Sequence, residues 1–162
     1  MKTAVRLVLL GLVLALGYWA WTFFFPSPKK IIRQHLEQMA KLASFTEREG
    51  ALAKLANGQK LAAFFDEHVE FRVEAPGMEN HTFESRSDLT EAIIAARNVA
   101  RSVHVELFDI SVEVTPGNQE AIANAAMRGD LSGQKDALVE QLKFNFKKKD
   151  GQWLVSAVVS EK

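Results

Sequence analysis

The chain has 162 residues, with 20 Lys plus Arg balanced by 20 Asp plus Glu, and no cysteine. That balance lacks the basic surplus on which phosphate-backbone binding depends, so no nucleic-acid partner is expected. Without cysteine there are no disulfides, no thiolate metal ligands and no lipid-modified cysteine anchor.

Leu7–Phe25 is a run of 19 residues without a charge, with Tyr18, Trp19, Trp21 and Phe23-Phe24-Phe25 towards its end. As a helix it would be about 28 Å long, close to the hydrocarbon thickness of a bilayer. Its aromatic end suits the membrane–water interface. A cleaved signal peptide is the competing reading, with Met1–Arg6 as the charged n-region. The apolar run exceeds a usual signal core, however, and bulky aromatics followed by Pro26-Ser27-Pro28 stand where small cleavage-site residues belong. The expected organisation is a tail over 1–6, a transmembrane helix over 7–25, a linker over 26–28 and a folded domain over 29–162, with the lipid bilayer as the partner of 7–25. Lys2 and Arg6 are matched by Lys29, Lys30 and Arg33 across the apolar run, so flanking charge does not orient it. The short N-terminal tail favours N-in, C-out, with the domain extracytoplasmic, periplasmic if the cell is bacterial.

Beyond the apolar run the chain carries 18 basic and 20 acidic residues, the size and near-neutral charge of one ordinary domain. Ser27 and Pro28 read as N-cap and first helical residue, opening a helix with Ile32, Leu36, Met39, Ala40 and Ala43 on one face. Ser44-Phe45-Thr46-Glu47 matches a capping box and predicts a second helix start, or a restart of the first after a bend, and Asn57-Gly58 predicts a helix stop. Lys60–Phe65 predicts a further short helical stretch. Val69, Phe71 and Val73 alternate with charged residues, the pattern of a half-buried strand ended by Ala75-Pro76-Gly77. Ser85 caps a helix carrying Leu89, Ile93, Ala96 and Ala100. Val103–Val114 predicts a long strand whose apolar parity shifts between Leu107 and Phe108, which calls for a β-bulge. Pro116-Gly117-Asn118 and Ser132-Gly133 predict turns on either side of a strand at Ala121–Arg128. Leu142, Phe144 and Phe146 face inward on the next strand, and Asp150-Gly151 predicts a tight hairpin into Trp153–Val159. The fold class is α+β, helices packed on a curved, mostly antiparallel sheet.

Three passages carry a family resemblance: Leu61–Phe71, Ser85–Ile93 and Lys149–Ser156. In their order and spacing, over roughly Lys30–Ser160, the chain resembles the nuclear-transport-factor-2-like superfamily, including its SnoaL-like and ketosteroid-isomerase-like members. The resemblance implies a cone-shaped sheet with a pocket at its open end and a homodimer or membrane-complex partner. It implies no single activity, because the fold hosts enzymes and binding modules alike.

A ketosteroid-isomerase-type enzyme needs a tyrosine to stabilise its enolate oxygen, and the chain's one tyrosine, Tyr18, sits in the apolar run. Arg128-Gly129-Asp130 resembles the Arg-x-Asp portion of limonene-epoxide-hydrolase-like sites, with Asp109 or Glu140 as partner carboxylate, so Asp109, Arg128 and Asp130 are the catalytic candidates. Such a triplet more often ends a strand at a solvated turn. His35, His68, His81 and His104 are scattered without metal-ligand spacing, so no metal and no cofactor is expected. Phe65, Phe71, Phe144, Phe146 and Trp153 are the ligand-binding candidates, as the large apolar side chains that could floor a pocket. The expectation is a membrane-anchored extracytoplasmic domain for small-ligand binding or protein assembly. A small-molecule isomerase, lyase or epoxide hydrolase is the alternative.

Overall fold

A computed structural model describes residues 27–73, 80–131 and 137–161. The apolar run 7–25 and the turns expected at 75–77 and 132–133 lie outside them. Among the described residues no helix is long and apolar enough to cross a membrane.

Helix α1 (Pro28–Ala43) starts as expected, the Ser27 hydroxyl accepting from the Lys30 N–H at 3.4 Å with proline at the first position. Its Ile32, Leu36, Met39 and Ala40 are buried. The remaining elements are α2 (Ala51–Ala62), β1 (Phe65–Arg72), β2 (His81–Phe83), α3 (Arg86–Val99), β3 (Val103–Val114), β4 (Glu120–Leu131), β5 (Leu138–Lys149) and β6 (Gln152–Glu161). They form one six-stranded sheet in the order β2-β1-β6-β5-β4-β3. Only the β1–β6 pair is parallel; the other pairs are antiparallel.

Two expectations about the helices are corrected. Ser44–Glu47 does not start a helix. Phe45 instead pairs with Val103, exchanging N–H···O bonds of 2.8 and 3.0 Å, and α2 begins after Gly50. The Ser44 hydroxyl is drawn to the sheet edge, accepting from the Val105 N–H at 2.9 Å while donating to the Ala40 carbonyl at 2.9 Å. With Arg33 donating to the Ile110 carbonyl at 2.6 Å, these contacts cover the β3 edge, whose open backbone would otherwise invite another strand. Nor does Asn57-Gly58 stop α2, which runs on to Ala62. Gly58 is buried where α2 crosses α3: a Cβ there would lie 3.1 Å from Ile94 Cγ1. The glycine serves close helix approach rather than chain reversal.

The antiparallel pairs among the described residues carry two bulges, and the parallel β1–β6 pair also shifts register between Phe65 and Glu70. In β3, Phe108 pairs with Ala126 and Ser111 with Asn124, so Asp109 and Ile110 together oppose Ala125, and Asp109 takes φ 53°. This is the extra residue that the parity shift requires. In β6, Ser156 is inserted between residues opposite Phe146 and Asn145. Bulges increase twist and curl a sheet around what it covers. The β5–β6 turn has positive φ at Asp150 (51°) and Gly151 (81°), as a two-residue hairpin needs.

The core is built by size complementarity across strands. Ala121 faces Phe146, Ala123 faces Phe144 and Ala125 faces Leu142, with all six side chains buried. Small residues on β4 leave room for the large ones on β5. Ile32 and Leu36 of α1 join the same cluster.

One charge is buried among these contacts. Arg97 of α3 is 2% exposed. Its Nη1 donates to Glu49 Oε2 at 2.6 Å, its Nη2 donates to the Leu42 carbonyl, and its guanidinium lies 4.8 Å from the Phe45 ring centroid. Glu49 also accepts from Asn57 Nδ2 at 2.7 Å. One side chain thus ties together the end of α1, the loop after it, α2 and α3. Arg97→Leu leaves a carboxylate buried without its cation and is expected to cost about 3–5 kcal/mol in urea unfolding. Adding Glu49→Leu to that variant should recover part of the loss.

Candidate functional site

Between the concave side of the sheet and helices α1 and α3 lies a cavity of about 400 Å³. Its helical wall includes Ala40 and Ala43 of α1 and Ala92 and Ala96 of α3, with Met39, Leu89 and Ile93. The sheet wall is larger: Phe65, Phe71, Phe83, Leu107, Met127 and Phe144 are among its residues. Phe71 is the hinge of an aromatic wall, 5.5 Å from Phe65 and 5.6 Å edge-on from Phe83 between ring centroids. Short alanines facing bulky phenylalanines across a curved sheet explain why the space is not filled.

Every described residue lining this cavity is Met, Ala, Leu, Ile, Val or Phe. Its described wall therefore offers no side-chain base, acid, nucleophile or metal ligand. What it can do is take apolar surface out of water, at about 25 cal/mol per Å² buried.

Of the ligand-binding candidates, Phe65, Phe71 and Phe144 line the cavity. Phe146 does not; it is fully buried in the core against Ala121. Trp153 lines a different hollow described below, with Lys148 Nζ 5.8 Å from its ring centroid. The three catalytic candidates are not brought together in the cavity. Asp109 is exposed on the β3 bulge. Arg128 Nε and Asp130 Oδ2 are 3.8 Å apart, both side chains about half exposed. Met127 points into the cavity, so by strand alternation its neighbour Arg128 takes the opposite face. There Arg128 stands opposite Glu106, and Asp130 opposite His104. Such cross-strand pairs are what a solvated charged face contains. Among the described residues no three His, Cys, Asp or Glu side chains are grouped to hold a metal ion.

A second hollow, of about 550 Å³, lies between α1, the end of α2 and the β5–β6 turn. His35 sits in it, its ring edge-on to Phe64 at 5.2 Å and its Nδ1 buried without a hydrogen-bond partner. Burial lowers the His35 pKa, only partly opposed by the Trp153 backbone. Two stripes run along α1: Ile32-Leu36-Met39-Ala43 and, one residue back, Ile31-His35-Gln38-Leu42. The second, at the same helical spacing, is the signal that could have marked His35.

No protein-family model matches the chain, and no curated protein matches it in sequence. Solved structures do match in fold. A domain of unknown function with a cystatin-like fold from Nostoc punctiforme superposes with TM-score 0.60 at 19% identity, over 80% of this chain and 73% of that one. A nuclear-transport-factor-2-like protein of unknown function from Pseudomonas putida gives TM-score 0.59 at 14% identity, over 82% and 84%. A protein described as a putative scytalone dehydratase from Novosphingobium aromaticivorans gives 0.58 at 15%, over 82% and 81%. The chain therefore has the nuclear-transport-factor-2-like cone: helices on a curved, mixed six-stranded sheet.

Two titrations follow from the local environments. Burial pushes the Asp66 carboxyl up, but the Glu67 N–H that it accepts, together with Lys149 and Lys147, more than offsets this and holds it below the usual range. Both Asp66 and His35 thus bind a proton less readily folded than unfolded, so each loses stability as pH falls. The His35 contribution is full above about pH 6.5 and begins to fade below it; that of Asp66 fades below about pH 4. The melting temperature is expected to drop between pH 7 and 5.5, and His35→Phe should remove the component due to this ring.

Proposed function

We propose that the protein is a membrane-anchored, extracytoplasmic domain that holds an apolar small molecule in its cone. The carrying observation is the cavity of about 400 Å³ with an entirely apolar described lining. That volume is within the range of small-molecule sites, and the lining matches a hydrocarbon-rich ligand better than a polar substrate. The charge-free run Leu7–Phe25 and the short segment before α1 support an anchor holding the cone beside the lipid, where such molecules concentrate. The catalytic alternative, isomerase, lyase or epoxide hydrolase, calls for ionisable groups facing the substrate. Asp109, Arg128 and Asp130 stand elsewhere, which favours the binding reading.

The test is binding of a medium-chain alkane or alcohol to the full-length chain, with Met127→Trp to fill the cavity. Saturable binding that Met127→Trp weakens at least about tenfold is expected, since the added ring occupies the ligand's volume. Affinity should not change between pH 5 and 8, because no described lining residue titrates. Intact mass of the membrane-extracted protein should include residues 7–25; a chain starting after Pro26 would contradict the anchor.

A further inference from the structure

The three-residue step from Phe25 to Pro28 spans at most about 11 Å even when fully extended. Ser27 has extended backbone (φ −60°, ψ 147°), so α1 begins anew at Pro28. An anchor over Leu7–Phe25 therefore keeps the first turn of α1 against the lipid surface. Two strand turns share that end of the domain. Ile31 lines a hollow with Gly151 and Gln152 of the β5–β6 turn. The Lys148 N–H donates to the Gln119 carbonyl of the β3–β4 turn at 2.7 Å. The cone cavity lies towards the other end of the same elements. Met39 is about 17 Å along α1 from Pro28, and Met127 about 23 Å along β4 from Glu120. Between the turns and the cavity, Ala121 and Phe146 are buried opposite each other.

The face made by the first turn of α1 and these two strand turns is polar. Lys29, Lys30, Lys147 and Lys149 are exposed on it and Lys148 is half-buried. The acids of the same segments are Glu120, opposite Lys147, and Asp150. The first turn of α1 has no acidic residue. Lys149 is engaged by Asp66 at 3.4 Å and Glu67 at 3.9 Å, which leaves Lys29, Lys30, Lys147 and Lys148 against the two carboxylates. None of the large exposed apolar side chains of the described residues, Leu52, Leu55, Val99, Phe108 and Val139, belongs to this face. It therefore suits phosphate headgroups better than acyl chains.

We propose that this closed end is a membrane-docking face, seated on the anionic headgroups of the bilayer that holds Leu7–Phe25, with the cone cavity turned away from the lipid. The docking rests on the anchor proposed above and adds an orientation to it. An apolar ligand enters the cone from the water side, because Ala121 and Phe146 fill the seated end.

The chain has no cysteine, so a single introduced thiol carries a fluorophore at one chosen place. The full-length protein is put into nanodiscs of phosphatidylcholine and phosphatidylglycerol that include a lipid with a nitroxide on its headgroup, a short-range quencher. Gln119→Cys and Gln152→Cys report from exposed positions on the docking face. His104→Cys reports from the far end, exposed at the start of β3 and about 30 Å along that strand from Val114. The fluorophores at 119 and 152 are expected to lose most of their emission, and the one at 104 to keep its own. Lys29→Glu combined with Lys30→Glu puts acids where a helix start favours them, so the melting temperature should not fall. That pair of changes should restore about half or more of the lost emission, as should discs without phosphatidylglycerol. Equal quenching at 104 and 119, or quenching indifferent to both the lysine changes and the lipid charge, would overturn the docking. Protein that fails to elute with the discs would overturn the anchor and the docking together. Protein that elutes with them while its 119 fluorophore stays bright would overturn the docking alone.

Discussion

A guanidinium buried to 2% exposure is tolerated only when its charge and its donors are met, and Arg97 meets them from three other segments at once. The Leu42 carbonyl comes from the last turn of α1, the Glu49 carboxylate from the connecting loop and the Phe45 ring from the segment that pairs with β3. Asn57 of α2 holds the second partner in place. The helical layer over the sheet is therefore positioned by directional bonds and not by apolar packing alone. Apolar packing slides easily; a charge with fixed donors does not. Since α1 and α3 form one wall of the cone, the cavity depends on this clamp for its width.

The cavity in turn follows from how side-chain volume is distributed. Deeper in the fold, alanines on β4 face phenylalanines on β5 and the space between strands closes. Towards α3 the alanines are on the helices, at Ala40, Ala43, Ala92 and Ala96, and these short side chains line the cavity together with Phe65, Phe71 and Phe83. The bulges at Asp109 and Ser156 curl the sheet around this space. An apolar space of this kind gains little from water, which finds no partner there, and much from a hydrocarbon. The ligand-binding reading rests on this physics. The charged residues that might have argued for catalysis, Arg128 and Asp130, are paired on the other face of β4.

Where local chemistry decides the structure, the sequence is readable. Ser27-Pro28 caps α1, Ser85 accepts from the Asp88 N–H, Asp150-Gly151 turns the last hairpin, and the parity change after Leu107 is a bulge. Where a distant partner decides, it is not. Gly58 looks like a helix stop until Ile94 of α3 is seen against it. Ser44–Glu47 looks like a capping box because the competing partner, the edge of β3, lies some 60 residues away. Arg97 occupies the stripe of Leu89 and Ile93 at helical spacing, where a charge reads as surface unless its buried acceptors are known. Phe146 has the right chemistry for a pocket wall, but hydrophobicity alone cannot separate a filled core from a hollow one.

The central claim, that the cone is an open apolar binding site, is tested most directly by methionine-methyl NMR of the full-length protein with a dissolved inert apolar probe such as xenon. Met39 and Met127 both line the cavity. Their methyl signals are expected to shift together and saturably as the probe is added, at the same probe concentration. Unmoved Met39 and Met127 signals would mean that the space is closed or filled, and would contradict the account.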